Sequence, residues 1–146
     1  MKLAKHITPL IIGFAVTFPQ IALAKAQTSS EYEKIVSTTY NYFEGLHSGN
    51  QSLLNQSFDM NNGYMKSINE NAINSTPLRS FAKKFTEKSE EQWHGKILSI
   101  DIVDDKMAFV KFDFDTPKIH YIDYLLLLKS DNDWLITSKA YVAQEK

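Results

Sequence analysis

Apolar residues in the first third of the chain recur at steps of three and four. Tyr32, Ile35, Val36, Thr39, Tyr40, Phe43 and Leu46 fall on one face of a helix running from Glu31 to His47. Ser30 and Glu33 have the spacing of a capping box at its start. Gly49 suits the left-handed position that ends a helix. Asn50 then caps a second short helix, Gln51 to Gln56, which buries Leu53, Leu54 and the following Phe58. Between Asn50 and Thr76 the pattern fades into seven asparagines and few large apolar residues. Asn61-Asn62-Gly63 marks a turn, with a short strand over Tyr64 to Ile68. Thr76 as N-cap and Pro77 as first helical residue open a further helix. Its buried stripe is Leu78, Phe81, Ala82 and Phe85, and its wet side Lys83, Lys84, Glu87 and Lys88.

The C-terminal half changes to a period of two. Leu98, Ile100 and Ile102 alternate within a strand from Trp93 to Val103, and Asp104-Asp105-Lys106 turns the chain. Ala108, Val110, Phe112 and Phe114 form the apolar face of the next strand, and Thr116-Pro117 turns again. Ile119 to Lys129 is apolar on both faces at its end and belongs in the middle of a sheet. Ser130 to Asp133 closes a tight hairpin into a last strand, Trp134 to Val142. Helices first and long antiparallel strands last specify an α+β fold, with the helices packed on one face of a curved sheet.

The chain start changes where this domain is expected to work. Lys2 and Lys5, the short apolar run Ile7 to Val16, the helix breaker Pro19 and the small residues of Ala22-Leu23-Ala24 read as an export signal over residues 1–24. Cleavage after Ala26 fits the same rule; the competing reading is a retained N-terminal anchor. A short polar lead, 25–30, precedes one domain over 31–146. Removing Lys2 and Lys5 from 16 basic residues leaves 14 against 17 acidic ones, a net charge of −3, so a nucleic-acid partner is not expected. No later run is long enough to span a membrane. The chain has no cysteine, so neither disulfides nor a thiolate metal site enter, and stability rests on apolar burial. The expected location is periplasmic or secreted.

Three blocks resemble a known family. The first runs from Tyr40 through Phe43 and Gly45 to Gly49, followed by Leu53, Leu54 and Phe58. The second is Met107, Ala108 and Val110. The third, and most specific, is Asp123, Tyr124, Leu125, Leu127, Leu128 and Lys129 with Trp134, Ile136 and Lys139. Together they resemble the nuclear transport factor 2-like superfamily, in the branch known as putative lumazine-binding proteins. The resemblance implies a cone: a strongly bent antiparallel sheet wrapped around N-terminal helices, with a pocket in its mouth. It also implies homodimers paired through the sheet. Members include isomerases, dehydratases, polyketide cyclases and plain binding proteins, so fold alone does not set function. Where the family's last hairpin has a glycine, this chain has Asp131-Asn132-Asp133, residues that also tolerate left-handed backbone.

Asp123 stands in a strand otherwise made of Tyr and Leu, on one face with Tyr121, Leu125 and Leu127. Such a carboxylate must be paired, or desolvation raises its pKa and fits it to be a general base. The structural alternative pairs it with Lys139, which on its other reading holds an anionic ligand group. Tyr40 and Tyr124 combine an apolar body with a polar tip and are candidates to orient a ligand. His120, aligned with Ile122 and Tyr124, is a further ligand-binding or proton-shuttling candidate beside its plain role as a strand-end residue. No histidine pair has metal-ligand spacing, and no Gly-x-Ser-x-Gly elbow, phosphate loop or dinucleotide fingerprint occurs. Neither a metal nor a cofactor is therefore expected. Asn50, Asn55 and Asn74 begin Asn-x-Ser/Thr triplets that an asparagine- and serine-rich loop produces by chance. The leading expectation is a binding protein for a small, partly apolar ligand. The alternative is a cofactor-free isomerase, dehydratase or cyclase with Asp123 as base, and a third is an interaction module docking through its sheet.

Overall fold

A computed structural model describes residues 20–69 and 71–146. Residues 1–19 of the expected export segment lie outside the described residues. Helix α1 spans Gln20–Ser48 and α2 Gln51–Ser57; strands β1 (Tyr64–Asn69) and β2 (Ala72–Pro77) precede the short α3, Leu78–Ala82. Four long strands follow: β3 (His94–Val103), β4 (Met107–Asp115), β5 (Ile119–Ser130) and β6 (Asp133–Glu145). They join β1 and β2 in one six-stranded sheet of order β2-β1-β6-β5-β4-β3, in which only β1 and β6 run parallel. The helices pack on one face of this open, curved sheet, as the α+β reading required.

The joint between α1 and α2 follows its sequence closely. Gly49 has φ +67°, and the Asn50 amide donates to Gly45 O at 3.0 Å, closing the helix with a left-handed cap. The Asn50 side chain accepts from the amides of Ser52 and Leu53, so one residue ends one helix and starts the next. The start of α1 differs from expectation. The helix is continuous from Gln20, so Ser30 lies inside it and caps nothing. Ala22 to Gln27 are good helix formers, and nothing after Pro19 interrupts them. The opening of α3 differs too: Thr76 and Pro77 belong to β2, Pro77 is the N-cap without a side-chain bond, and Phe85 lies beyond the helix.

The buried side of α1 is turned slightly from the stripe the sequence suggested. Ile35, Thr38, Thr39, Tyr42, Phe43 and Leu46 face the sheet, while Tyr32 and Tyr40 are exposed. Polar members of this face have partners: Thr38 Oγ1 donates to Trp134 O (3.2 Å) and Thr39 Oγ1 to Ile35 O (2.8 Å). Opposite them lie Ala108, Val110, Phe112 and Phe114 of β4, Leu125 and Leu127 of β5, and Trp134 and Ile136 of β6. Aspartates form the β3–β4 and β5–β6 turns without glycine: Asp104 and Asp105 have φ of 51° and 48°, and Asp131 has φ 55°.

Two irregularities set which side chains face inward. In β3 the register shifts between Ile97 and Ser99. Leu98 stands at that bulge and is exposed, while Ile97, Ile100 and Ile102 pack on the core, which corrects the expected alternation. In β6, Leu127 pairs with Ile136 but Leu126 with Ser138, leaving Thr137 as an extra residue. Trp134 and Ile136 face inward before it, and Lys139 and Tyr141 after it. Strict alternation from Trp134 would have sent Lys139 outward.

Glu31 ties the helix to the last hairpin. Trp134 Nε1 donates to its Oε2 at 2.8 Å, Lys129 Nζ lies 2.8 Å from the same oxygen, and Lys34 Nζ lies 3.1 Å from Oε1. The Lys129 ammonium, followed by the Trp134 and Lys34 donors, outweighs burial and lowers the Glu31 pKa to about 2. A carboxylate favoured in the folded state contributes its stability in full above the ordinary value of 4.5 and loses it as pH falls toward 2. Glu31→Gln should therefore flatten the stability curve across that acid window while changing it little in shape above it. Urea unfolding of both proteins from neutral to acid pH measures this; parallel curves would refute it.

Candidate functional site

Behind the inward-facing ends of β5 and β6 the packing is incomplete. A hollow of about 190 Å³ is lined by Tyr42 and Leu46 of α1, Met65 of β1, Phe81, Phe85, Trp93, Phe114 and Thr116, and by Tyr121, Lys139 and Tyr141. Its walls are a chain of tilted and edge-on rings: Trp93 meets Phe114 at 5.4 Å, Phe114 meets Tyr121 at 5.7 Å, and Tyr121 meets Tyr141 edge-on at 5.8 Å.

One buried ion pair borders this hollow. Asp123 is wholly buried, and Lys139 is 4% exposed. Tyr42 Oη donates to Asp123 Oδ2 at 2.6 Å. Lys139 Nζ is the counter-ion of Asp123 Oδ1, which has no other partner among the described residues. The ammonium also lies 4.8 Å from the ring centre of Tyr141 and 5.5 Å from that of Tyr42. Burial pulls the Lys139 pKa down, against the opposing pull of Asp123. Burial first, and the Asp123 charge second, push the Tyr42 phenol well above its ordinary value. Tyr121 is raised as well, by burial and then by Tyr141 and Asp123. At neutral pH Tyr42 and Tyr121 are therefore neutral phenols, each with a hydroxyl proton to donate. A further buried donor, Trp93 Nε1, has no partner among the described residues and belongs to a residue of the hollow's wall.

The sequence candidates separate into two faces. Asp123 and Lys139 come together, but Asp123 sits behind Lys139 and Tyr42 and is not among the residues lining the hollow. Tyr124 is half exposed on the opposite face of β5, with Lys111 Nζ 5.7 Å from its ring. His120 shares that outer face and bonds Asp113 Oδ1 at 2.8 Å, beside a polar cleft with His94, Asp115 and Lys146. Tyr40 lies on the exposed flank of α1, its ring edge-on to Phe112 at 6.0 Å. Alternation along β5 and the turn of α1 thus keep Tyr124, His120 and Tyr40 out of the hollow. Among the described residues, no group of three or more His, Cys, Asp or Glu has a metal-holding arrangement. Tyr42, Tyr121, Tyr141 and Trp93 are residues of the hollow that the sequence candidates do not include. Tyr42 had a signal: it stands seven residues after Ile35 and four before Leu46, in the same stripe.

The family described as "Putative lumazine-binding" matches residues 30–142. The chain belongs to this family. The match spans α1 from Ser30 onward and all six strands almost to the end of β6. Two solved structures share the putative lumazine-binding chain's fold. A nuclear transport factor 2-like protein from Silicibacter pomeroyi has a TM-score of 0.72 at 18% identity, covering 80% of this chain and 98% of that one. One from Shewanella baltica has 0.72 at 22% identity, covering 81% and 97%. The cone implied by the sequence blocks is thus the nuclear transport factor 2-like fold. A curated relative, "Aldolase FrzH" of Cladobotryum sp., is 27% identical over 122 residues, covering 82% of this chain and 96% of that protein.

The ion pair's contribution is measurable. Removing one partner from a buried pair typically costs about 3–5 kcal/mol, because the other charge stays buried without compensation. Lys139→Met should destabilise the domain by about that much, and the double change Asp123→Asn with Lys139→Met should recover most of the loss. Chemical denaturation of the two single variants and the double variant gives the coupling; additive losses would show that the charges do not depend on each other.

Proposed function

We propose that this protein is exported and binds a small, flat, partly apolar molecule in the hollow at Lys139. The carrying observation is that an aromatic-walled hollow meets a buried ammonium, three phenols and an indole N–H that has no partner among the described residues. Rings take the apolar body of a ligand, and those donors take its acceptor atoms. A dry cavity of about 150 Å³ is enough for benzene, so a hollow of about 190 Å³ suits one substituted ring or a compact bicycle. The family's description supports a lumazine-like heterocycle, whose ring carbonyls are acceptors. Lumazine and a panel of aromatic acids and carbonyl compounds should quench Trp93 fluorescence and raise the melting temperature. Trp93→Phe should remove the quenching and Tyr121→Phe should weaken the affinity. If no compound stabilises the protein, and native mass spectrometry finds nothing carried through purification, the binding reading falls.

A second reading is cofactor-free chemistry: isomerisation, dehydration, cyclisation or an aldol-type step. The relative named an aldolase and the ionised pair beside the hollow favour it. Asp123 as general base would then act through Lys139 or Tyr42, since it does not line the hollow itself. Asp123→Asn separates the two readings, because it removes a base but leaves the aromatic walls for binding.

Export rests on the Lys2-to-Ala24 pattern, and pairing of two copies rests on the sheet's outer face. There Ile68, Ile73, Tyr124 and Val142 are exposed side by side, with Lys66 the charged residue among them. An isologous contact would bury the same patch from both copies. Protein recovered from outside the cytoplasm should begin at Lys25 or Gln27. Its sedimentation should change from dimer to monomer on Ile73→Glu; retention of residues 1–24, or a monomer at all concentrations, would reject the respective claim.

A further inference from the structure

Lys139 is the charged residue among those lining the hollow, and it is held there by construction rather than by reach. The extra residue at Thr137 turns it inward, Asp123 fixes its ammonium from behind, and the rings of Tyr42 and Tyr141 flank it. A pair retained for stability alone would be sealed by apolar side chains, whereas this one borders open space of about 190 Å³. We propose that Lys139 captures carbonyl compounds covalently: its amine condenses with the aldehyde or ketone group of an aromatic ligand seated in the hollow, giving an iminium.

The atoms balance without any further reactant. Asp123 Oδ1 takes a proton from the Lys139 ammonium, and the free amine adds its electron pair to the carbonyl carbon as the C=O π electrons move to oxygen. One proton passes from the nitrogen to the oxygen, giving the carbinolamine. Asp123 then returns the proton it took, relayed by the Tyr42 hydroxyl in the wall of the hollow, water leaves, and the C=N⁺–H bond forms with Asp123 again a carboxylate. The net change is ammonium plus carbonyl to iminium plus water. Tyr42, already donating to Asp123 Oδ2, steadies the carboxylate through both states of protonation. Tyr121 and Tyr141 line the same hollow, and in this proposal their hydroxyls hold the carbonyl oxygen before it leaves. The aromatic walls limit bulk water, which favours dehydration. Burial lowers the Lys139 pKa and so increases the share of nucleophilic amine near neutral pH.

This inference rests on the hollow being a small-molecule site, and its test separates the two claims. Benzaldehyde and sodium cyanoborohydride are added to the purified chain, and the reduced adduct is located by peptide mass spectrometry. Binding of benzyl alcohol, which lacks a carbonyl, is followed in parallel by Trp fluorescence. One saturable adduct is expected at Lys139, suppressed by excess benzyl alcohol. It should form before adducts at the exposed Lys66, Lys96 and Lys118, since none of those amines has a hollow that seats the aromatic ring beside it. Lys139→Arg, which keeps the charge, should lose the adduct; if that variant does not fold, the map of the unaltered chain decides. Adducts spread over exposed lysines with Lys139 unlabelled, while benzyl alcohol still binds, would overturn the covalent step and leave the binding reading intact. Absence of both labelling and binding would overturn both.

Discussion

A carboxylate and an ammonium share the interior of this domain, and much of its architecture follows from keeping them together. Each charge costs several kcal/mol to take out of water, and the cost is offset only if partner geometry and hydrogen bonding are both good. Asp123 comes from β5, Lys139 from β6 and the Tyr42 hydroxyl from α1. The pair is therefore satisfied only when the helix is docked and the two central strands are in register. The second anchor, Glu31 with Trp134 and Lys129, pins the same helix one end further along. Between them these contacts fix α1 against the sheet with more precision than a stripe of Ile, Phe and Leu could impose.

The hollow is the counterpart of that constraint. Apolar residues of similar volume in place of a buried ion pair are often neutral or stabilising. Stability by itself therefore gives no reason for the pair, whereas a cavity needing polarity at one end does. The solved relatives establish the fold at low identity, and the family match establishes kinship; the chemistry has to come from the residues around the cavity.

Much of the fold was legible from the sequence. Ala108 to Phe114 alternates without interruption, and the buried face of β4 matches it residue for residue. Gly49 and Asn50 carry their joint in their own backbone preferences. Asp123 was visible as a carboxylate among Tyr and Leu, and its pairing with Lys139 as the structural option. The misses have physical causes. Hydrophobic counting favours Tyr32 and Tyr40 over Thr38 and Glu31, whose burial depends on partners distant in sequence. The bulges in β3 and β6 change side-chain facing without a composition signal, so Leu98 was placed inward. Trp93, Tyr121 and Tyr141 read as ordinary aromatic core until the gap they enclose is seen.

The extra residue in β6 divides that strand into two segments that obey opposite facing rules. Up to Ile136 the even-numbered positions build the core, and beyond the extra residue the odd-numbered Lys139 and Tyr141 line the hollow. Substitutions of Tyr141 can therefore reshape the hollow without disturbing Trp134 and Ile136, the two residues that hold the strand to the helices. A single inserted position thus makes one continuous strand into two modules, free to diversify at different rates.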